Sequence, residues 1–176
     1  MTKAERVKLL ELYSAGPDLV ASCLDSISKG AFDYSSGPER WSIRQIVFHI
    51  VDSDINGNMR LRKPLAEPET EVPIYNEELW VQRLHVDAIP IDSTLDLFRA
   101  FRTYNAAYFE AIAEDEWLQT VIHPEWGRVT LEYVLHVYAN HPGWHIEHIN
   151  RTHEVWKRAE AGEVIDPTVS LWVPPK

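Results

Sequence analysis

The sequence predicts an all-α protein built as a four-helix bundle. Four long segments place apolar residues three or four apart, the period of a helix with one buried face. Ser42 followed by Gln45 is a capping box that opens one of these segments. The stretches between segments are rich in Pro, Gly and Ser, residues that stop helices. At 176 residues and 45% apolar composition, the chain suits one domain over 1–176 with a real core. No repeat, low-complexity run or linker divides it.

The first helix is expected from Thr2 to Ser28, with Val7, Leu10, Leu19, Val20, Leu24 and Ile27 on its apolar side and a kink or break at Gly16-Pro17. Gly30 to Arg40 reads as a loop. The second helix starts at the Ser42 box, carries Ile43, Ile46, Val47, Ile50 and Val51, and is expected to end near Arg62, before Pro64 and Pro68. A long connection follows, with a short helix over Asn76 to Leu84. Asp92 or Ser93 can cap the third helix, whose Leu95, Phe98, Phe101, Tyr104, Tyr108 and Ile112 recur at helical spacing to about Ala113. Thr120 to Val129 holds a turn at Pro124 to Gly127 between two β-favouring runs, predicting a small hairpin or an irregular loop. Thr130 can cap the fourth helix, where Leu131, Val134, Leu135, Tyr138, His141, His145, His148 and Ile149 form one stripe. Pro142 leaves the Tyr138 carbonyl without its helical donor, so a kink is expected there. The tail after Trp156 would be ordered only by docking on the body or on a partner subunit.

Composition narrows the function. With 17 Lys+Arg against 27 Asp+Glu, the formal charge of -10 repels nucleic acid phosphates and anionic membrane surfaces. No apolar run reaches membrane-spanning length and the N-terminal residues lack a signal-peptide cleavage pattern, so a soluble, cytoplasmic protein is expected. The single Cys23 excludes a thiolate cage, and any metal site must use His and carboxylates.

His141 and His145 stand four apart and can aim both imidazoles at one spot. Three protein nitrogens with an open fourth position are a common way to hold a catalytic Zn²⁺. His49, inside the apolar face of the second helix, is the best third ligand, because an imidazole buried there needs a partner. Spacing alone leaves two alternatives open, a metal site and a hydrogen-bonded core, with His145/His148 as another pairing. His148 is read as pocket lining. His85, His123, His136 and His153 read as surface or structural. Asp52, three residues after His49, could orient water, and Arg60 or Arg102 could contact an anionic substrate.

At these residues the chain resembles the DinB-like superfamily, and more closely its YfiT type, described as metal-dependent hydrolases related to bacillithiol S-transferases. The segment WSIRQIVFHIVDSDINGNMRLR from Trp41 to Arg62 is similar to the family's second helix with its metal His, here His49. HPEWGRVTLEYVLHVYANHPGWHIEHI, from His123 to Ile149, resembles the fourth helix and its preceding loop, the family's His pair falling on His141 and His145. PIYNEELWVQRL matches as well, so the likeness spans nearly the whole chain. The resemblance implies an up-down-down-up bundle, a three-histidine site with one divalent ion per subunit (Zn²⁺ first, Ni²⁺ next) and a homodimer. Pro142 departs from the small or polar residue these relatives carry there.

Two functions follow as expectations. In the first, the metal activates water or a low-molecular-weight thiol against a small-molecule substrate, with Asp52 or His148 handling protons, giving a hydrolase or a thiol S-transferase. In the second, the ion only ties two helices together in a non-catalytic binding module.

Overall fold

The computed structural model describes residues 1–172. Helix α1, Lys3–Asp25, opens at Thr2, whose hydroxyl and the Glu5 carboxylate cap each other's backbone N–H. Helix α2, Ile43–Ala66, opens at the expected Ser42/Gln45 box. A short helix α3, Glu77–Arg83, is capped by Asn76, whose side-chain oxygen accepts from the Leu79 N–H at 2.9 Å. Helix α4 is Ile91–Glu110, and helix α5, Leu131–Glu160, opens at Thr130. Strands β1, Thr120–His123, and β2, Gly127–Thr130, pair antiparallel as the expected hairpin before the last helix. Gly127, at φ 73°, supplies the left-handed residue that closes the turn.

Several boundaries differ from expectation. α4 begins at Ile91 rather than after an Asp92 or Ser93 cap, because the Pro90 carbonyl accepts from both the N–H and the hydroxyl of Thr94, at 3.2 Å each. It ends at Glu110, short of Ala113. α2 runs through Pro64 to Ala66, a proline in the last turn costing a single helical bond. Neither Pro17 nor Pro142 breaks its helix, since α1 and α5 are continuous through them.

The reason is Arg102. A proline cannot donate to the carbonyl four residues earlier, which orphans Tyr13 O in α1 and Tyr138 O in α5. Arg102, on α4 and 1% exposed, donates Nη1 to Tyr13 O at 2.7 Å and Nη2 to Tyr138 O at 2.8 Å. Its Nε and Nη2 also donate to the Asp54 carboxylate on α2, at 2.7 and 3.0 Å. One guanidinium thus ties all four long helices together. Arg102 was expected to contact substrate; that expectation is corrected, because its donors are committed to the interior and it does not line the cleft described below.

The contacts fix the topology. Arg6 and Glu132 meet near the starts of α1 and α5, and Ser28 meets His153 beyond the one and near the end of the other, so these helices run parallel. Asp18 meets Arg99, and Tyr13 meets Asn105, so α4 opposes α1. Arg60 meets Tyr138 while His49 meets His145, so α2 opposes α5. The bundle is up-down-down-up. Its core is two apolar clusters, one around Val20, Ile46, Phe98 and Ile149, the other around Tyr13, Leu61, Phe109 and Leu135. On α2 Asp54, and on α5 His141, His145 and His148, fall between the two clusters in sequence, whereas His49 sits within the stretch of α2 that belongs to the Ile46 cluster. The tail docks on the body: Arg40 holds the Pro167 carbonyl from Nη2 at 3.0 Å, and Leu171 is buried. The rest of the tail, 173–176, lies outside the described residues. No helix among the described residues is long and apolar enough to cross a membrane.

Candidate metal centre

α2 and α5 lie against each other with their histidines face to face. His49 sits between Ile46 and Ile50, both fully buried, so the packing that fixes α2 also fixes the ring. His141 and His145 lie one turn apart on α5, and their Nε2 atoms are 3.1 Å from each other despite Pro142 between them. The three ring centroids are 4.5 to 5.3 Å apart. One ring nitrogen from each of His49, His141 and His145 lies within 4.8 Å of the others. His49 and His145 are 4% and 3% exposed, and His141 is half-buried.

The rings suit a divalent ion. Two nitrogens bound to one ion at about 2.0–2.1 Å sit roughly 3–3.5 Å apart, which the His141/His145 pair already meets. Burial lowers all three imidazoles from their ordinary value, His49 to about 4 and the other two well below it, with neighbouring histidines adding to the effect. They are therefore neutral at neutral pH, the form that binds metal. Their Nδ1 atoms are buried without hydrogen-bond partners among the described residues, while the Nε2 atoms of His141 and His145 face each other. The donor set and its geometry fit a metal.

The triad forms part of the wall of a cleft of about 970 Å³. His148 lines it too, stacked near Trp41, and burial with Arg151 and Arg40 nearby lowers it to about 4. Arg60 lines the cleft, its Nη1 donating to the Tyr138 hydroxyl at 3.0 Å. Gly57 makes that contact possible, because a Cβ there would lie 2.2 Å from the Tyr138 ring. Asp52 is not part of the lining; half-buried, its carboxyl is pushed up to about 6 by burial.

Three residues were not foreseen. Glu77, at the start of α3, puts Oε2 3.7 Å from His49 Nδ1, and burial with Glu125 and Glu78 beside it raises its carboxyl above the ordinary value. It lies inside the PIYNEELWVQRL segment, the only signal that could have found it. Trp172, in the tail, stacks on His145 with centroids 4.5 Å apart and planes 9° off parallel. His123, expected at the surface or as a structural residue, is 2% exposed and lines the cleft, because the hairpin folds it under Trp126 at 3.9 Å. His85 and His136 are exposed, and His153 is buried against Ser28 away from the cleft.

A family model for the DinB superfamily matches residues 12–149. A protein of Oceanobacillus iheyensis with the provisional name of metal-dependent hydrolase is 26% identical over 133 residues, 76% of this chain and 77% of its own length. One from Bacillus cereus, provisionally named likewise, is 33% identical over 111 residues, and the match spans 62% of each chain. The solved structure of YfiT from Bacillus subtilis, described as "a probable metal-dependent hydrolase with an unusual four-helix bundle topology", aligns with a TM-score of 0.80 at 21% identity, covering 92% of this chain and 90% of that one. With the match running from the middle of α1 through both histidine-bearing helices, this chain belongs to the DinB superfamily.

Proposed function

We propose that the chain is a metal-dependent hydrolase of a small molecule, holding one divalent ion, Zn²⁺ before Ni²⁺, through His49, His141 and His145. The observation that carries the reading is the opening of the triad onto the cleft: three neutral imidazoles supply the ligands, and no fourth His, Cys, Asp or Glu among the described residues joins their cluster. A site that keeps a position for an exchangeable ligand is the catalytic pattern, whereas a fourth protein ligand marks a structural ion. The names of the curated relatives point the same way. When bound, the ion supplies Lewis acidity that lowers the pKa of water or of a thiol.

The chain's own residues do the rest. The packing of α2 against α5 holds the three rings converged, so little rearrangement accompanies binding. Glu77, its carboxyl raised above the ordinary value, stands beside His49 and is better placed than Asp52 to accept a proton from a nucleophile. His148, neutral and on the cleft wall, is the second proton-handling group. Trp172 and Trp41 shield the ligand rings from solvent.

Thiol transfer is the second reading, and the size of the cleft favours it. About 970 Å³ is near the upper end of ordinary small-molecule pockets and leaves room for an electrophile beside a thiol. The test is a panel of esters and amides run beside monochlorobimane with several low-molecular-weight thiols, using metal-loaded and chelator-treated protein. Turnover in one arm that disappears on chelation and returns with metal is expected. Turnover that chelation leaves unchanged contradicts both readings.

A further inference from the structure

The buried arginines of this chain are Arg6, Arg60 and Arg102. Arg6 pairs with Glu114 and Glu132, and Arg102 with Asp54. Arg60, 7% exposed, makes no ion pair among the described residues. Glu77 on the same cleft is close enough to feel its charge, yet no carboxylate pairs with it directly, so the place of a contacting counter-charge is open. Arg60 Nη1 donates to the Tyr138 hydroxyl at 3.0 Å and its Nη2 to the Pro73 carbonyl at 3.3 Å, a long bond; Nε has no acceptor. The Trp126 ring lies under the guanidinium, 5.5 Å away, and also lines the cleft.

His123 stacks on Trp126, with centroids 3.9 Å apart, and lines the same cleft. Its Nδ1 accepts the backbone N–H groups of Glu125 and Trp126, each at 3.2 Å. That places the proton of the neutral ring on Nε2, which is buried and has no acceptor. Unused donors on the same cleft as a guanidinium with no direct ion pair describe a place for acceptor oxygens carrying negative charge.

We propose that Arg60 and His123 form an anion subsite of the cleft and that the substrate is a small molecule bearing a single carboxylate. Arg60 is anchored on Tyr138, and His141 follows one turn later on α5, so the carboxylate sits about 5 Å along the helix from the triad. That distance separates the substrate's anionic end from its reacting group. A monoanion fits better than a phosphate dianion, because Glu77, Glu78 and Glu125 line the same cleft. The planar fork of arginine matches a carboxylate through two parallel hydrogen bonds.

The proposal rests on reading the cleft as a substrate site but not on the metal, and the two are tested apart. Phenylacetate and its neutral counterpart phenylacetamide are titrated into whole protein, both metal-stripped and metal-loaded, with binding followed by calorimetry. Phenylacetate is expected to bind at least about tenfold more tightly than the amide in both forms, and phenyl phosphate no better than phenylacetate. Arg60→Met abolishes the preference, and Arg60→Lys retains part of it. Equal affinity of the acid and the amide for the wild type, which needs no variant to fold, overturns the subsite. So does a preference that survives Arg60→Met or appears only with metal present, the latter assigning the carboxylate to the ion. Protein that takes up no metal yet prefers the acid supports the subsite while sinking the metal reading.

Discussion

Tyr13 O and Tyr138 O, the carbonyls that Pro17 and Pro142 leave without helical donors, are both satisfied by Arg102, which adds a bidentate pair with Asp54. Removing the guanidinium strands a buried carboxylate and two carbonyls at once. Arg102→Met is therefore expected to lose about 3–5 kcal/mol in urea unfolding, and the loss should be smaller in a Pro142→Ala background, where the new N–H can serve Tyr138 O. Equal losses in both backgrounds would detach the arginine from the proline. A second close fit is Gly57 against the Tyr138 ring. Gly57→Ala must displace a well-packed ring, at about 1–3 kcal/mol by the same measurement. The need for a donor at Tyr138 O is readable from Pro142 alone. Its source is not, since Arg102 is 36 residues away and nothing local marks it as buried rather than facing a ligand. His123 was opaque for the same reason: its burial comes from the hairpin folding back, not from any helical stripe.

Among the elements, α2 and α5 were the most legible, because unbroken apolar spacing and a cap at each start leave few alternatives. Their spacing also put His49 and the His141/His145 pair on inward faces; that the two faces meet is a fact of packing that periodicity cannot supply. α3 and the tail carried weak patterns, and they hold Glu77 and Trp172, which complete the site. Among the described residues the tail is held to the body by polar contacts from Arg40 to Pro167 O and from Arg151 to Leu171 O, the latter a long one at 3.4 Å. Trp172, in contrast, covers a ligand ring directly. Trp172→Ala should therefore leave metal stoichiometry unchanged while speeding removal of the ion by a chelator, followed by a colorimetric metal indicator. An unchanged rate would mean that the tail does not shield the centre.

Across the whole molecule, buried histidines are set among the apolar clusters, so the stability of the bundle and the state of its histidines are linked. His49 and His148 are each lowered to about 4 by burial, against an ordinary value of about 6.5. As pH falls, the unfolded chain takes up these protons first, so their contribution is complete above about pH 6.5 and is lost toward about pH 4. Metal-stripped protein should show a melting temperature that declines through that window, with a shallower decline in His148→Gln. The same neutral, converged rings are what the proposed ion site rests on. The most direct test is the metal content of protein loaded with Zn²⁺ and dialysed, measured for wild type, for His49→Ala, His141→Ala and His145→Ala, and for the exposed His85→Ala. One ion per chain in the wild type and in His85→Ala, with loss in each of the three triad variants, is the predicted result. Stoichiometric metal retained after removal of any one of the three histidines would contradict the account.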